Sequence, residues 1–133
     1  MKIGFVLDDT LDKTDGVQQH VLTVGKWLTE QGHEGHYLVA DTTRTDIENV
    51  HSLGRFVNLH YNKNNVRTPL PSSKRKIKSL LSEHKFDVIH VQLPYSPFLA
   101  KQIINLVPES TAVVGTFHIL PASALHGYSN RAL

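Results

Sequence analysis

The stretch KIGFVLDDTLDKTDGVQQHVLTVGKWLTEQG, Lys2–Gly32, decides the fold of this chain. Its apolar start, Lys2–Leu7, has the length and composition of a strand buried in a parallel sheet. Apolar residues then recur on one helical face along Val17–Gln31, and Gly32 stands where a left-handed cap ends a helix. The intervening loop, Asp8–Gly16, is longer than the usual connection of about two to six residues, which is typical of a binding loop.

Strands and helices alternate through the rest of the chain. The sequence predicts a second buried strand at His36–Ala40, further strands at Arg55–Tyr61, Phe86–Gln92 and Thr111–His118, and helices at Lys74–His84 and Phe98–Leu106. Residues 62–73 are rich in Asn, Pro and Ser and are predicted to form a loop, in which Ser72 or Ser73 caps the next helix. This alternation predicts an α/β protein with a mostly parallel sheet covered by helices on both faces.

Sheets of this kind bind ligands at the carboxyl ends of their strands. Three predicted loops leave such ends, at Asp8–Gly16, Gln92–Tyr95 and His118–Pro121. We therefore expect these loops to converge on one edge of the sheet and to form a binding cleft.

Composition narrows the class of protein. The 133 residues fit one domain, and 40% apolar with 20% charged residues indicates a folded globular chain rather than a disordered one. The absence of cysteine excludes disulfides and thiolate chemistry, and a reducing cytoplasm is compatible with it. No apolar run approaches the roughly 18 residues of a membrane-spanning helix. The N-terminus turns acidic too soon for a signal peptide. A net charge of +2 is too small to indicate a nucleic-acid partner.

Two positions of the expected cleft invite a binding interpretation. Gly16 stands just before the first helix, at an N-terminus where free backbone N–H groups and the helix dipole favour a phosphate, although a simple hinge is the alternative. The G-x-G-x-x-G and P-loop patterns are absent, which disfavours an ordinary dinucleotide-dependent dehydrogenase or a nucleoside triphosphatase. His118 closes the last strand and is either a hydrogen-bond donor to a polar ligand or a histidine satisfied within the protein.

The other polar clusters support weaker hypotheses. The segment HEGH, His33–His36, lacks the helical spacing of a zinc motif, so no metal site is predicted. Arg67 precedes the second helix and is suited to gripping a phosphate. That helix begins with a cluster of bases, at the end where the helix dipole does not favour them: Lys74, Arg75, Lys76 and Lys78. The cluster is either a solvated face or an attachment site for anionic lipid.

Several motifs occur in a characteristic order: DGVQQHV (Asp15–Val21), YNKNNVR (Tyr61–Arg67), the basic helix, FDVIHVQLPYSP (Phe86–Pro97) and VGTFH (Val114–His118). The chain resembles the N-terminal part of family 4 glycosyltransferases, and among them the phosphatidylinositol mannosyltransferase type. Two departures concern the ligands. Asp15 replaces the first glycine of the family's GGVxxHV motif, and Asp9 stands where the inositol-specific type has a tyrosine.

This resemblance implies a GT-B fold, in which two Rossmann-like domains face each other across a cleft. Residues 1–133 correspond to the N-terminal, acceptor-side domain. The C-terminal domain that binds the donor is missing from this sequence, so the fragment alone is expected to be inactive. The implied reaction transfers a hexose, with retention, from a GDP- or UDP-hexose to a lipid-linked or small polar acceptor. It needs neither a cofactor nor a metal.

The resemblance also assigns roles to individual residues. It implies that His118 is catalytic, by contact with the transferred sugar or the acceptor, and that Gly16 lets the backbone approach the donor diphosphate. Four residues are expected to bind the acceptor: Asp9, Gln18, Arg67 and Tyr95. Four bases are expected to hold the domain on an anionic membrane: Lys74, Arg75, Lys76 and Lys78. The expected location is cytoplasmic, with peripheral attachment to the inner face of the membrane as an extension.

Two other hypotheses stay open at this point. The chain could be a non-catalytic module that docks on a membrane or a partner chain through its basic helix. It could also be another doubly wound domain of the epimerase-like or flavodoxin-like kind. An assay of sugar transfer separates the glycosyltransferase hypothesis from these two.

Overall fold

The computed structural model of the protein describes residues 1–118. The strands are β1 (Lys2–Thr10), β2 (Glu34–Asp41), β3 (Val50–Ser52), β4 (Arg55–Tyr61), β5 (Asn64–Leu70), β6 (Val88–Gln92) and β7 (Ala112–Thr116). The helices are α1 (Gly16–Glu30), α2 (Lys74–His84) and α3 (Leu99–Leu106).

A five-stranded sheet in the order β3-β2-β1-β6-β7 forms the centre of the fold, and every neighbouring pair in it is parallel. In the middle of the sheet, Phe5 of β1 lies opposite Tyr37 on one side and His90 on the other. The predicted α/β class with a mostly parallel sheet is therefore confirmed.

Helices cover both faces of this sheet. Alternate side chains of its strands point to opposite faces and therefore enter two separate apolar cores. One core packs Phe5, Leu7 and Val39 against α1. The other packs Val6, Leu38, Ile89 and Val91 against α2 and α3. The buried residues of the second core that come from these helices are Ile77, Leu80, Leu81, Leu99, Ala100 and Ile103. The result is the three-layer arrangement expected from the sequence.

The local signals at the helix ends are also confirmed. Gly32 follows α1 with φ +87°, the left-handed conformation that glycine adopts without steric cost. Ser73 caps α2, where its side chain accepts a hydrogen bond from the Lys76 backbone N–H at 3.3 Å. The predicted bounds of α2 agree with the structure, and those of α1 and α3 differ from it by one residue.

The prediction for residues 55–70 is wrong in part. Arg55–Tyr61 is a strand, but it is mostly exposed and pairs antiparallel with Asn64–Leu70 in a two-stranded hairpin outside the main sheet. Residues 64–70 are therefore a strand and not part of a loop. The turn uses Asn62 and Lys63, both with positive φ, which matches the twist of a two-residue hairpin. The third strand of the main sheet is β3, which was not predicted because it has only three residues.

Candidate active site at the carboxyl edge of the sheet

A cavity of about 390 Å³ opens at the carboxyl edge of the sheet. Its walls come from the end of β1, the first turn of α1 and the segment that follows β6. Of the residues predicted to bind the acceptor, Asp9, Gln18 and Tyr95 line this cavity, together with Asp15 and Gln92. The first two of the predicted carboxyl-end loops thus meet in one cleft.

Gln18 contributes an unsatisfied acceptor to this cavity. The residue is 2% exposed, and its Nε2 donates a hydrogen bond to the Thr10 carbonyl at 3.0 Å. That bond fixes the amide, and its Oε1 is buried without a hydrogen-bond partner among residues 1–118. A buried acceptor without a partner costs free energy.

His118 is held at this edge by a buried amide. Its Nε2 lies 2.7 Å from Oε1 of Gln92, a fully buried residue of β6. Because an amide oxygen only accepts, Nε2 carries the proton and Nδ1 of the neutral ring is left as an acceptor. Burial, and then the neighbouring His20, lower the pKa of His118, which favours this neutral form. The rest of the predicted loop, 119–121, lies outside the described residues.

His20 is a site residue that the sequence analysis did not single out. It lies one helical turn after Gly16 on α1, and its ring centroid is 5.1 Å from that of His118. Its Nε2 is buried and has no hydrogen-bond partner in the described part of the chain. The four-residue spacing from Gly16, which places both on one helical face, is the signal that could have identified it.

The N-terminus of α1 is open where a ligand would approach it. A Cβ atom added at Gly16 would meet no other part of residues 1–118 within 4 Å, apart from its chain neighbours and its own helix backbone. Asp15 is the cap residue, but its side chain makes no capping hydrogen bond and lines the cavity. The N–H groups of the first turn have no partner within the helix, so this end can receive an anion, against the charge of Asp15.

The two other predicted residues in the cavity are held by neighbours. The Asp9 carboxylate accepts from the Thr10 backbone N–H and forms an ion pair with Lys13, each at 2.8 Å. The ring of Tyr95 stacks on that of Phe117, with centroids 6.0 Å apart. Tyr95 and Phe117 therefore join the segment after β6 to the segment after β7.

Asp12 ties the segment between β1 and α1 to the loop that follows β2. Its carboxylate accepts hydrogen bonds from the Thr42 hydroxyl and from the backbone N–H and hydroxyl of Thr43. These bonds, the one from Thr42 first, lower the pKa of Asp12. The segment 11–15 is thus anchored from outside the cleft. The predicted loop Asp8–Gly16 is shorter in the structure, because Asp8, Asp9 and Thr10 belong to β1 and Gly16 begins α1.

Arg67 is not brought to the cavity. It lies on β5 of the hairpin, where its guanidinium pairs with Asp41 and stacks over the Phe56 ring at 3.8 Å. The residues that line the cavity in the described chain do not include Arg67.

The basic residues of α2 are all exposed, while Ile77 of the same helix is fully buried. Lys76 is engaged, since its Nζ donates to the Ser52 carbonyl at 2.8 Å. Lys74, Arg75 and Lys78, at spacings of three and four, project together from one exposed face. Among residues 1–118, no helix is both long and apolar enough to cross a bilayer.

The model of glycosyltransferase family 4 matches residues 14–133, which is most of the chain. The chain belongs to glycosyltransferase family 4. The match includes α1, the hairpin, α2 and the strand that leads to His118, so the family resemblance drawn from the motifs is confirmed.

Curated relatives of this family 4 domain carry a more specific name. The chain is 32% identical to the phosphatidyl-myo-inositol mannosyltransferase of Mycolicibacterium smegmatis, in an alignment of 94% of this chain and 32% of the relative. For the proteins of that name in Propionibacterium freudenreichii and Mycobacterium tuberculosis H37Rv the identities are 31% and 30%. Those alignments cover 100% and 94% of this chain and 37% and 33% of the relatives. The chain thus spans about a third of the length of the curated relatives it matches.

Proposed function

We propose that this domain is the acceptor-side half of a retaining hexosyltransferase, which moves a hexose from a nucleotide sugar to a lipid-linked or small polar acceptor. The observation that carries the proposal is a cavity lined by Gln92, the hydrogen-bond partner of His118, and by Gln18, whose buried Oε1 has no partner among residues 1–118. His118 itself does not line the cavity and is joined to it through Gln92. Family membership and relatives named as mannosyltransferases support it.

The cavity takes the polar part of the acceptor. Its volume of about 390 Å³ suits a small polyol or a lipid headgroup. Gln18 Oε1 accepts a hydrogen bond from a hydroxyl of this ligand, and the carboxylate of Asp9 and the phenol of Tyr95 offer further polar contacts. An inositol ring, the headgroup in the relatives' name, presents hydroxyls suited to these groups. Arg67 reaches the acceptor only after it leaves Asp41.

The nucleotide sugar approaches α1. Gly16 leaves room for the donor diphosphate at the helix N-terminus, where backbone N–H groups and the helix dipole stabilise negative charge. The charge on the leaving diphosphate also needs groups aimed at it from the facing side of the cleft. We assign those groups to a second domain, as in the two-domain GT-B architecture, and we expect residues 1–133 alone to be inactive. The transfer step uses no metal and no cofactor.

His118 acts on the transferred sugar. Because His118 Nε2–H donates a hydrogen bond to Gln92 Oε1, the ring is held in one orientation and presents Nδ1 as an acceptor for a hydroxyl of the sugar or of the acceptor. Positioning of this kind lowers the barrier because the reacting groups are already oriented when they meet.

A cytoplasmic protein with a peripheral membrane contact fits this function. Lys74, Arg75 and Lys78 present three charges to an anionic leaflet, and each base near such a surface contributes about 1 kcal/mol. The same face is the observation that favours a second candidate function, a docking module without catalysis. In that case the full-length protein would bind anionic vesicles but transfer no sugar.

The test is sugar transfer by the full-length protein. We expect radiolabelled hexose from GDP-mannose, or from another GDP- or UDP-hexose, to appear on phosphatidylinositol vesicles or on free myo-inositol. His118→Ala should lower turnover at least about tenfold, because general positioning and proton-transfer groups contribute factors of this size or more. His60→Ala, on the exposed hairpin, is the matched control. Turnover by His118→Ala equal to that of the control would remove the assigned role.

A further inference from the structure

Three histidines from distant parts of the chain meet between β2, β3 and α2. One nitrogen each of His36, His51 and His84 lies within 4.8 Å of the others. The ring centroid of His36 is 5.2 Å from that of His51 and 4.7 Å from that of His84. His36 lies opposite Gly4, near the amino end of β2, so this histidine cluster is remote from the cavity at the carboxyl edge.

The hydrogen bonds of the cluster fix the most buried ring. His36 is 3% exposed, and its Nε2 lies 2.7 Å from Oε1 of Glu34. Because a carboxylate accepts, Nε2 carries a proton, and Nδ1 of the neutral ring directs its lone pair at His51 Nε2, 2.9 Å away. The contact between His36 and His51 therefore shares a single proton between two ligand-type nitrogens.

This arrangement is the one in which proteins orient a metal-binding histidine. A ligand imidazole typically donates its other N–H to a carboxylate, as His36 does to Glu34, and the partner fixes the tautomer and the ring orientation. A metal ion would take the place of the proton between His36 and His51. Imidazole groups suit Zn²⁺, Co²⁺, Ni²⁺ and Cu²⁺, and do not suit Mg²⁺ or Ca²⁺.

The distances require only small side-chain movements. Zn–N bonds of about 2.0–2.1 Å in tetrahedral geometry place ligand nitrogens about 3.4 Å apart. The nitrogens of His36 and His51 would thus separate slightly, and His84 would rotate inward. His84 can do so because it is only partly buried and lies in the last turn of α2. A solvent-open depression adjoins the cluster at His51 and is lined also by Lys76 and Glu83. Lys76, the α2 cation beside His51, donates its Nζ hydrogen bond to the Ser52 carbonyl.

We propose that His36, His51 and His84 form a binding site for a divalent transition-metal ion of the zinc type, oriented by Glu34. The site is structural and lies outside the sugar-transfer cleft. Only His36 belongs to the HEGH segment, whose local spacing predicts no metal. The two other ligands come from elements that are distant in sequence, so no linear motif marks the site.

Such an ion would fasten the edge of the sheet. β3 has three residues and pairs only with β2 in the described sheet. A bond from the metal to each of His36, His51 and His84 would join β2, β3 and the C-terminus of α2 at one point. The ion would therefore stabilise the native state, which binds it, over the unfolded chain.

The experiment is Co²⁺ and Zn²⁺ titration of the full-length protein. We expect visible d–d absorption of one tetrahedral Co²⁺, its displacement by Zn²⁺, and a rise of Tm with Zn²⁺ that Mg²⁺ does not produce. His84→Asn should abolish the Co²⁺ spectrum and the rise of Tm. Glu34→Gln should weaken binding by about 10- to 100-fold, the usual cost of losing the hydrogen-bond partner of a ligand histidine.

The matched control addresses another close nitrogen pair within residues 1–118. His33 Nδ1 lies 3.1 Å from the N-terminal amine and is an alternative place for a metal. His33→Asn should leave binding unchanged. His84 is partly exposed, so His84→Asn is expected to fold, and circular dichroism of the metal-free variant checks this; His51→Asn serves if it does not. The proposal is overturned if the wild type shows no Co²⁺ spectrum. It is also overturned if Co²⁺ binding survives in both His84→Asn and His51→Asn, or if Co²⁺ binding disappears in His33→Asn.

Discussion

His20 presents its ring edge-on to His118, with centroids 5.1 Å apart and ring planes at 72°. Removal of His20 should therefore change the titration of His118. His20→Phe keeps an aromatic ring but removes the positive charge that, after burial, lowers the pKa of His118. The pKa of His118 should rise toward its ordinary value, so the neutral form would be lost at a higher pH. We expect the acid limb of the pH–turnover profile of the full-length enzyme to move to higher pH.

The control for this prediction is His60→Phe, which changes a histidine on the exposed hairpin. Its pH profile should coincide with that of the wild type. An acid limb that stays in place in His20→Phe would mean that the neutral form of His118 does not govern turnover.

Asp15 should weaken donor binding. It lines the cavity at the N-terminus of α1 and makes no capping hydrogen bond, so Asp15→Gly removes a charge without removing a cap. Charges near a helix end contribute about 0.3–1 kcal/mol, so KM for the nucleotide sugar should fall about two- to fivefold. Asp15→Asn separates the charge from the added flexibility, and the difference should shrink as salt rises. A KM that increases in both variants would show that the carboxylate contributes to donor binding.

The exposed face of α2 should bind anionic membranes. Reversal of Lys74, Arg75 and Lys78 to Glu should weaken sedimentation with phosphatidylserine-containing vesicles by at least about two orders of magnitude at low salt. Lys76 is left unchanged because it holds the Ser52 carbonyl. Reversal of Lys26, Arg55 and Lys63 makes the same change in net charge elsewhere and should have a much smaller effect. Equal losses in the two triple variants would indicate an effect of net charge alone.

His90 should make the fold less stable in acid. Burial, followed by the charges of His20 and His118, lowers its pKa in the folded state below the value of about 6.5 in an unfolded chain. As pH falls, the unfolded state takes up this proton first, so the free energy of unfolding decreases until the folded-state pKa is reached. His90→Gln retains a donor for Thr116 and should lose less stability between about pH 7.5 and 5 in urea denaturation. An unchanged pH slope would exclude His90 as its source, and His60→Gln is the control.

The parts of the fold that follow from local patterns could be predicted from the sequence. The apolar face of α1, the serine cap of α2 and the positive φ of Gly32 each depend on residues close in sequence, and all three are observed. The hairpin could not be predicted in the same way. Its turn residues, Asn62 and Lys63, adopt positive φ without a glycine, so the usual hairpin signal is absent.

In the candidate site, too, some residues could be predicted from local sequence and others could not. Asp9, Gln18 and Tyr95 reach the cavity because they lie at the carboxyl end of β1, in the first turn of α1 and just after β6. Such positions can be read from the sequence alone. The pairing of Arg67 with Asp41, and the meeting of His36 with His51 and His84, depend on how separate elements pack. Contacts of this kind have no local sequence signature.

Asp12 gives the cleft a property that no single ligand contact provides. The carboxylate already joins the segment between β1 and α1 to Thr42 and Thr43. The entropy lost in ordering that segment is therefore part of the free energy of folding rather than of ligand binding. Under the proposed function, an acceptor would meet a segment that is already ordered. Discrimination between acceptors there would depend on the fit of their hydroxyls rather than on their ability to close a flexible loop.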